Sequence, residues 1–111
     1  MLIVKATYTR PTTDVAFIQD VAGANEVWKA YLQTFIDAGQ MVYPPDRRIQ
    51  SPDNLQMTII SHWVSAAANQ VFLDGETSSQ NKVPHNTYNK EHGITFSVVR
   101  ELVYDENDVA P

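Results

Sequence analysis

Three histidines, His62, His85 and His92, are the side chains of this chain whose ordinary pKa lies near neutrality. His85 and His92 stand seven apart in "HNTYNKEH", inside a polar stretch. That spacing is not a metal-binding one of the H-E-x-x-H kind. In a loop the two are ordinary solvated residues. On a helix, positions 85, 88, 89 and 92 share one face, and His85, Tyr88, Asn89 and His92 could together bind a metal or polarise a carbonyl. His85 and His92 are therefore the catalytic candidates. A second candidate region is "SHWVSAAANQVF", residues 61–72. Here Trp63 ends a strand and Phe72 lies on the helix that follows. With Tyr8 they supply apolar walls for a ligand, although core filling at a strand–helix corner accounts for Trp63 equally well. Strand alternation turns His62 to the face opposite Trp63, so the two do not form a dyad.

Several chemistries are excluded by what the chain lacks. It has no cysteine, hence no disulfide, thiolate metal site or cysteine nucleophile. Ser61 and Ser65 sit in no G-x-S-x-G elbow. None of the four glycines forms a phosphate-binding loop. Asp14, Asp37, Asp46, Asp53 and Asp74 fall at turns or helix ends, where local hydrogen bonding explains them. Arg47–Arg48, after Pro44–Pro45, could contact an anion or form a solvated hairpin tip. No metal and no cofactor is expected. A net charge of −5 argues against a nucleic-acid partner. No apolar run approaches the ~18 residues of a membrane span, and "MLIVKATYTR" has no signal-peptide pattern, which suits a cytoplasmic protein.

The elements that must position these residues follow from periodicity. Residues 2–9 alternate as a strand, with Leu2, Val4, Ala6 and Tyr8 on one face. Residues 12–19 carry Val15, Phe17 and Ile18, too apolar for a free loop, and should pack against a helix or a neighbouring subunit. Residues 25–38 read as a helix with Val27, Trp28, Tyr31, Leu32, Phe35 and Ile36 as its stripe, Asn25 as N-cap and Gly39 just past its end. A second strand begins at 40–43, is broken by Pro44–Pro45, and resumes near Ile49. Residues 55–63 form a third strand. Ser65 caps a second helix over 66–74 with Ala67, Ala68, Val71 and Phe72 inward. Residues 76–93 read as a long polar loop. Residues 94–104 form the last strand, and 105–111 a frayed tail of the single domain 1–111.

The order is β-α-β-β-α-β. The expected fold is α+β, a ferredoxin-like sandwich with a four-stranded antiparallel sheet and two helices on one face. The other face would carry Ile3, Ile60, Val99 and Val103 among threonines, and Lys5 and Glu101 could pair there if the first and last strands are not staggered far apart. That surface is too apolar to stand in water, so a homodimer through the sheet face is expected.

A strand ending in Trp, a small capping residue, and an Ala-rich helix with a Phe resemble the corner of antibiotic biosynthesis monooxygenase-like proteins. "ITFSVVREL" is similar to their closing strand. The resemblance implies a dimeric α+β barrel, in a superfamily of quinol-forming oxygenases, haem-degrading enzymes, small-molecule binders and members without known activity. Haem-degrading members carry an Asn on the first strand and a His on the helix after the Trp. Here the first strand ends Thr7, Tyr8, Thr9, and the histidines come later, which argues against haem degradation. Two functional readings follow: a binder of a small apolar ligand or cofactor-independent monooxygenase-like enzyme, or a non-enzymatic structural or assembly protein, viral or accessory, on the same fold.

Overall fold

The computed structural model describes residues 1–103, so Tyr104 of the expected last strand and the tail at 105–111 lie outside the described residues. The N-terminal alternation forms β1 (Leu2–Thr9) at the centre of the sheet. A 3-10 turn at Ile18–Asp20 leads into α1 (Glu26–Asp37). Then come β2 (Met41–Val42), β3 (Arg48–Gln50), β4 (Gln56–Trp63), α2 (Ala66–Asp74), α3 (Glu76–Glu91) and β5 (Thr95–Leu102). The strand order is β2-β4-β1-β5, antiparallel throughout, with β3 also on β4. This is the ferredoxin-like α+β arrangement, with two departures from the expected element list.

The sheet has five strands rather than four, because the second strand is split. Met41 pairs with Trp63 and Arg48 with Ile59, so the register moves by three residues across Pro44–Pro45. Proline has no N–H for a ladder, and the chain bulges away from β4 there.

The second departure is a correction. Residues 76–93 are not a loop: they form α3, which runs on from α2 through a single extended residue, Gly75. The stretch carries no apolar stripe, and Pro84 stands inside it without an N–H for the preceding turn. Its stripe is polar instead. Ser78, Lys82, His85 and Asn89, at spacings of four, three and four, all line one cavity. The helix ends as many do: Gly93 takes φ 70°, its N–H reaches the Lys90 carbonyl at 3.4 Å, and the Ile94 N–H reaches Asn89 at 2.8 Å. Gly39 closes α1 in the same way.

Two smaller expectations are also corrected. Ala67 and Val71 face outward, and Ala68, Asn69 and Phe72 form the buried stripe of α2. Val27 is exposed rather than part of the α1 stripe, and the Asn25 side chain makes no cap hydrogen bond. Ser65, by contrast, accepts from the Ala68 N–H at 3.1 Å.

The core has two parts. One gathers Leu2, Met41, Trp63, Ala68 and Phe72 beneath α1 and α2. The other gathers Phe17, Met57 and Ile94. The 12–19 segment belongs to the second: Phe17 and Ile18 are buried, Arg10 lies 4.5 Å over the Phe17 ring, and the Tyr88 hydroxyl of α3 donates to the Ala16 carbonyl at 2.5 Å. Its partner is therefore a helix of the same protomer. On the opposite face of the sheet, Thr7 and Thr58 share a 2.8 Å hydrogen bond, and Val99 is exposed. Lys5 stands opposite Val99 and Glu101 opposite Ile3, and no ion pair joins Lys5 to Glu101 among the described residues.

Candidate functional site

The helix-facing side of the sheet is only partly filled. Between it and the helices lies a cleft of about 890 Å³. Its floor is β1, β4 and β5, through residues such as Val4, Ala6, Ile59 and Val98, and its other walls are α1, α2 and α3. Open space under α1 explains why that helix has an aromatic stripe yet no fully buried residue.

Phe72 is the hub of the aromatic wall. Its ring centroid lies 5.0 Å from Trp28, 5.0 Å from Trp63, 5.1 Å from Tyr31 and 5.5 Å from Phe35, mostly in the edge-on or tilted geometries that rings prefer. Trp63 is almost wholly buried, and its indole N–H donates to Ser61 Oγ at 3.2 Å, so it is both a core residue and part of the wall. Trp63 and Phe72 are therefore together. Tyr8 also lines the cleft, but at its far end: Trp63 faces Leu2, and Tyr8 is six residues further along β1, about 20 Å at the rise of a strand. There it stacks on Phe96 at 5.6 Å, and burial raises its phenol pKa, partly offset by hydrogen bonding from the Gln19 side chain.

The two histidine candidates part company. His85 faces the cleft, with its ring 5.9 Å from Trp28, and burial lowers its pKa below the usual imidazole value, so it is neutral at pH 7. His92 is exposed at the end of α3, stacked on Tyr88 at 4.0 Å, with Nδ1 2.8 Å from the Tyr88 carbonyl, and it does not line the cleft. The face that would have joined His85, Tyr88, Asn89 and His92 is thus divided. His85 and Asn89 look into the cleft, while Tyr88 packs on the second core.

Among the described residues, four buried side-chain atoms have no hydrogen-bond partner: Gln19 Oε1, Asn25 Oδ1, His85 Nε2 and Asn89 Oδ1. All four residues line this one cleft. A buried polar atom without a partner is unfavourable by ~1–3 kcal/mol, so four around one space leave unmet hydrogen-bonding capacity in its walls. Asn89 belongs to the set the sequence offered on a helical face; Asn25 was expected only as a helix cap, and Gln19 was not singled out. The signal for Asn89 is its spacing from Ser78, Lys82 and His85; Gln19 and Asn25 sit on irregular chain and carry none. Among the described residues no group of three or more His, Cys, Asp or Glu side chains could hold a metal ion.

No protein-family model matches the sequence, and no curated protein does. Solved structures do match in three dimensions. One, assigned as an antibiotic biosynthesis monooxygenase from Deinococcus radiodurans, superposes with a TM-score of 0.62 at 13% identity over the whole of both chains. A dimeric ferredoxin-like protein from an uncultured marine organism gives 0.61 at 12%, covering 98% of this chain and 100% of that one. SnoaB, a cofactor-independent oxygenase from Streptomyces nogalater, gives 0.59 at 11%, covering 96% and 95%. At these identities the likeness is one of fold: the chain has the ferredoxin-like fold of the antibiotic biosynthesis monooxygenase-like proteins.

Proposed function

We propose that the protein binds a small ring compound in the cleft between helices and sheet, and acts on it as a cofactor-independent, monooxygenase-like enzyme. The observation that carries this reading is the convergence of four unpartnered buried polar atoms on one aromatic-walled space. Trp63 and Phe72 supply the apolar wall at one end and Tyr8 at the other. Neutral His85 is the group suited to accept a proton from an acidic hydroxyl or C–H of the ligand. His92 has no part in this site. Oxygenation without a cofactor requires the deprotonated substrate itself to give electrons to dioxygen, and SnoaB is a structural neighbour of that kind.

The protein acts as a homodimer in this reading. The helices that flank the sheet pack on the face bearing Leu2, Met41 and Trp63, and among the described residues the face bearing Ile3, Ile60 and Val99 has no cover of its own. Among the described residues no helix is long and apolar enough to cross a membrane.

The test is tryptophan fluorescence during titration with hydroquinones, quinones and polycyclic phenols, with oxygen consumption followed in parallel. Saturable quenching that is lost in Phe72→Ala, with oxygen uptake lost in His85→Gln, is the expected result. Saturation without oxygen uptake reduces the reading to a binder. No saturable change with any compound favours the assembly protein.

A further inference from the structure

The cleft has charge of one sign. Of the chain's eight Lys and Arg residues, five line it: Lys29, Arg47, Arg48, Lys82 and Arg100. No Asp or Glu of the described residues does, although the chain carries 13 of them. Two of the five cations are neutralised from outside the wall. Arg48 forms a two-pronged pair with Asp20, at 2.7 Å on each prong, and Lys29 lies 3.8 Å from Glu26. Arg47 lies over the Tyr43 ring at 4.7 Å. No described ion pair engages Arg47, Lys82 or Arg100.

Arg100 is the one held in place. It lies on the helix-facing side of β5, opposite Val4 of the cleft floor. Its Nε donates to Oδ1 of Asn69 at 3.4 Å, and Asn69 is 4% exposed on the buried stripe of α2. Neither terminal nitrogen of its guanidinium has an acceptor among the described hydrogen bonds. Asn69 and Phe72 are three apart on α2, about 4.5 Å along the helix axis. Arg100, Asn69 and Phe72 thus line the same cleft. The nearly buried, unpartnered amide of Asn89 faces the same space.

We infer that the ligand of this cleft is an aromatic acid: a planar ring seated on Phe72 and Trp28, carrying an anionic oxygen group that pairs with the free edge of the Arg100 guanidinium. This rests on the ligand-binding reading above and narrows it. A planar guanidinium pairs with a carboxylate through two parallel hydrogen bonds, and Arg47 and Lys82 at the walls raise the local concentration of anions in an otherwise acidic protein.

Isothermal titration calorimetry of the full chain with three matched compounds tests it: 2-naphthoate, neutral 2-naphthamide and cationic 2-naphthylmethylamine. The acid should bind about tenfold or more tightly than the amide, with the amine weakest, and the preference should shrink as salt is raised. Arg100→Gln should bring acid and amide together, while Arg100→Lys keeps a reduced preference for the acid. The wild-type comparison stands without either variant should they misfold. If amide or amine binds as tightly as the acid, the aromatic-acid inference is overturned and the ligand-binding reading survives. If none of the three binds and the phenols and quinones above do, the inference alone fails. If nothing binds at all, both fail together.

Discussion

The hydroxyl of Tyr31 donates to the main-chain carbonyl of Phe72 at 2.7 Å, tying α1 to the last turn of α2. It also occupies the place a side chain would need at Gly75, where a Cβ would clash with that oxygen and lie 3.0 Å from the ring carbon bearing it. Gly75 has an ordinary extended backbone, φ −66° and ψ 147°, so the contact alone forbids a larger residue. Gly75→Ala should lose ~1–3 kcal/mol by overpacking. Tyr31→Phe should lose about 1 kcal/mol with the hydrogen bond. In urea denaturation the double variant should be less destabilised than the two losses added, since removing the hydroxyl removes the nearer clash.

His85 should make stability depend on pH. Burial depresses its folded pKa below the usual value near 6.5, so the unfolded chain binds the extra proton first as pH falls. Stability is therefore full above about pH 7 and declines as pH drops through 6.5 towards the folded pKa. His85→Gln should flatten this slope between pH 5 and 7 in denaturation curves taken across that range. A slope unchanged in the variant would assign it to other groups.

The two expected helix caps should behave differently. Ser65→Ala removes a real cap bond to Ala68 and should lose about 1 kcal/mol. Asn25 stands at the N-terminal end of α1, and its side-chain oxygen Oδ1 is buried without a partner. Asn25→Ala should shift the unfolding midpoint little and instead weaken ligand binding in the titrations above. A full capping loss at Asn25 would contradict its assignment to the site.

On the uncovered sheet face, Ile60 and Val99 are the positions to charge. Light scattering at micromolar concentration should give about twice the 12.5 kDa of one chain. Ile60→Lys with Val99→Lys should give the monomer without unfolding it, because neither side chain points into the core clusters. A wild-type monomer would refute the dimer.

The parts of this fold that bury apolar surface at a regular period were legible in the sequence: β1, α1, β4 and the strand–helix corner at Trp63 and Ser65 all stand where alternation or a 3.6-residue stripe puts them. The long third helix was not, because the face it presents to the interior is Ser78, Lys82, His85 and Asn89 rather than apolar. A hydrophobic pattern finds helices that pack on a core, and α3 packs on a space. Its punctuation was present all the same, in Glu76 at the start and Gly93 just past the end. The candidate walls Trp63, Phe72 and Tyr8 were legible as large aromatics on the inward face. Asn89 was legible only through its helical spacing from His85, and the amides of Gln19 and Asn25 were not legible as site residues, since what marks them is being buried with nothing to bind.

The bulge at Pro44–Pro45 gives the two margins of the sheet unequal character. On the β4 side the margin is two short fragments, two and three residues long, out of step with each other by three positions. No continuous row of backbone donors and acceptors is left there for another strand to read. On the other side, among the described residues, β5 offers eight unbroken residues. Should this sheet ever be lengthened by a foreign strand, in assembly or in aggregation, it can serve as a template in one direction only, outward from β5.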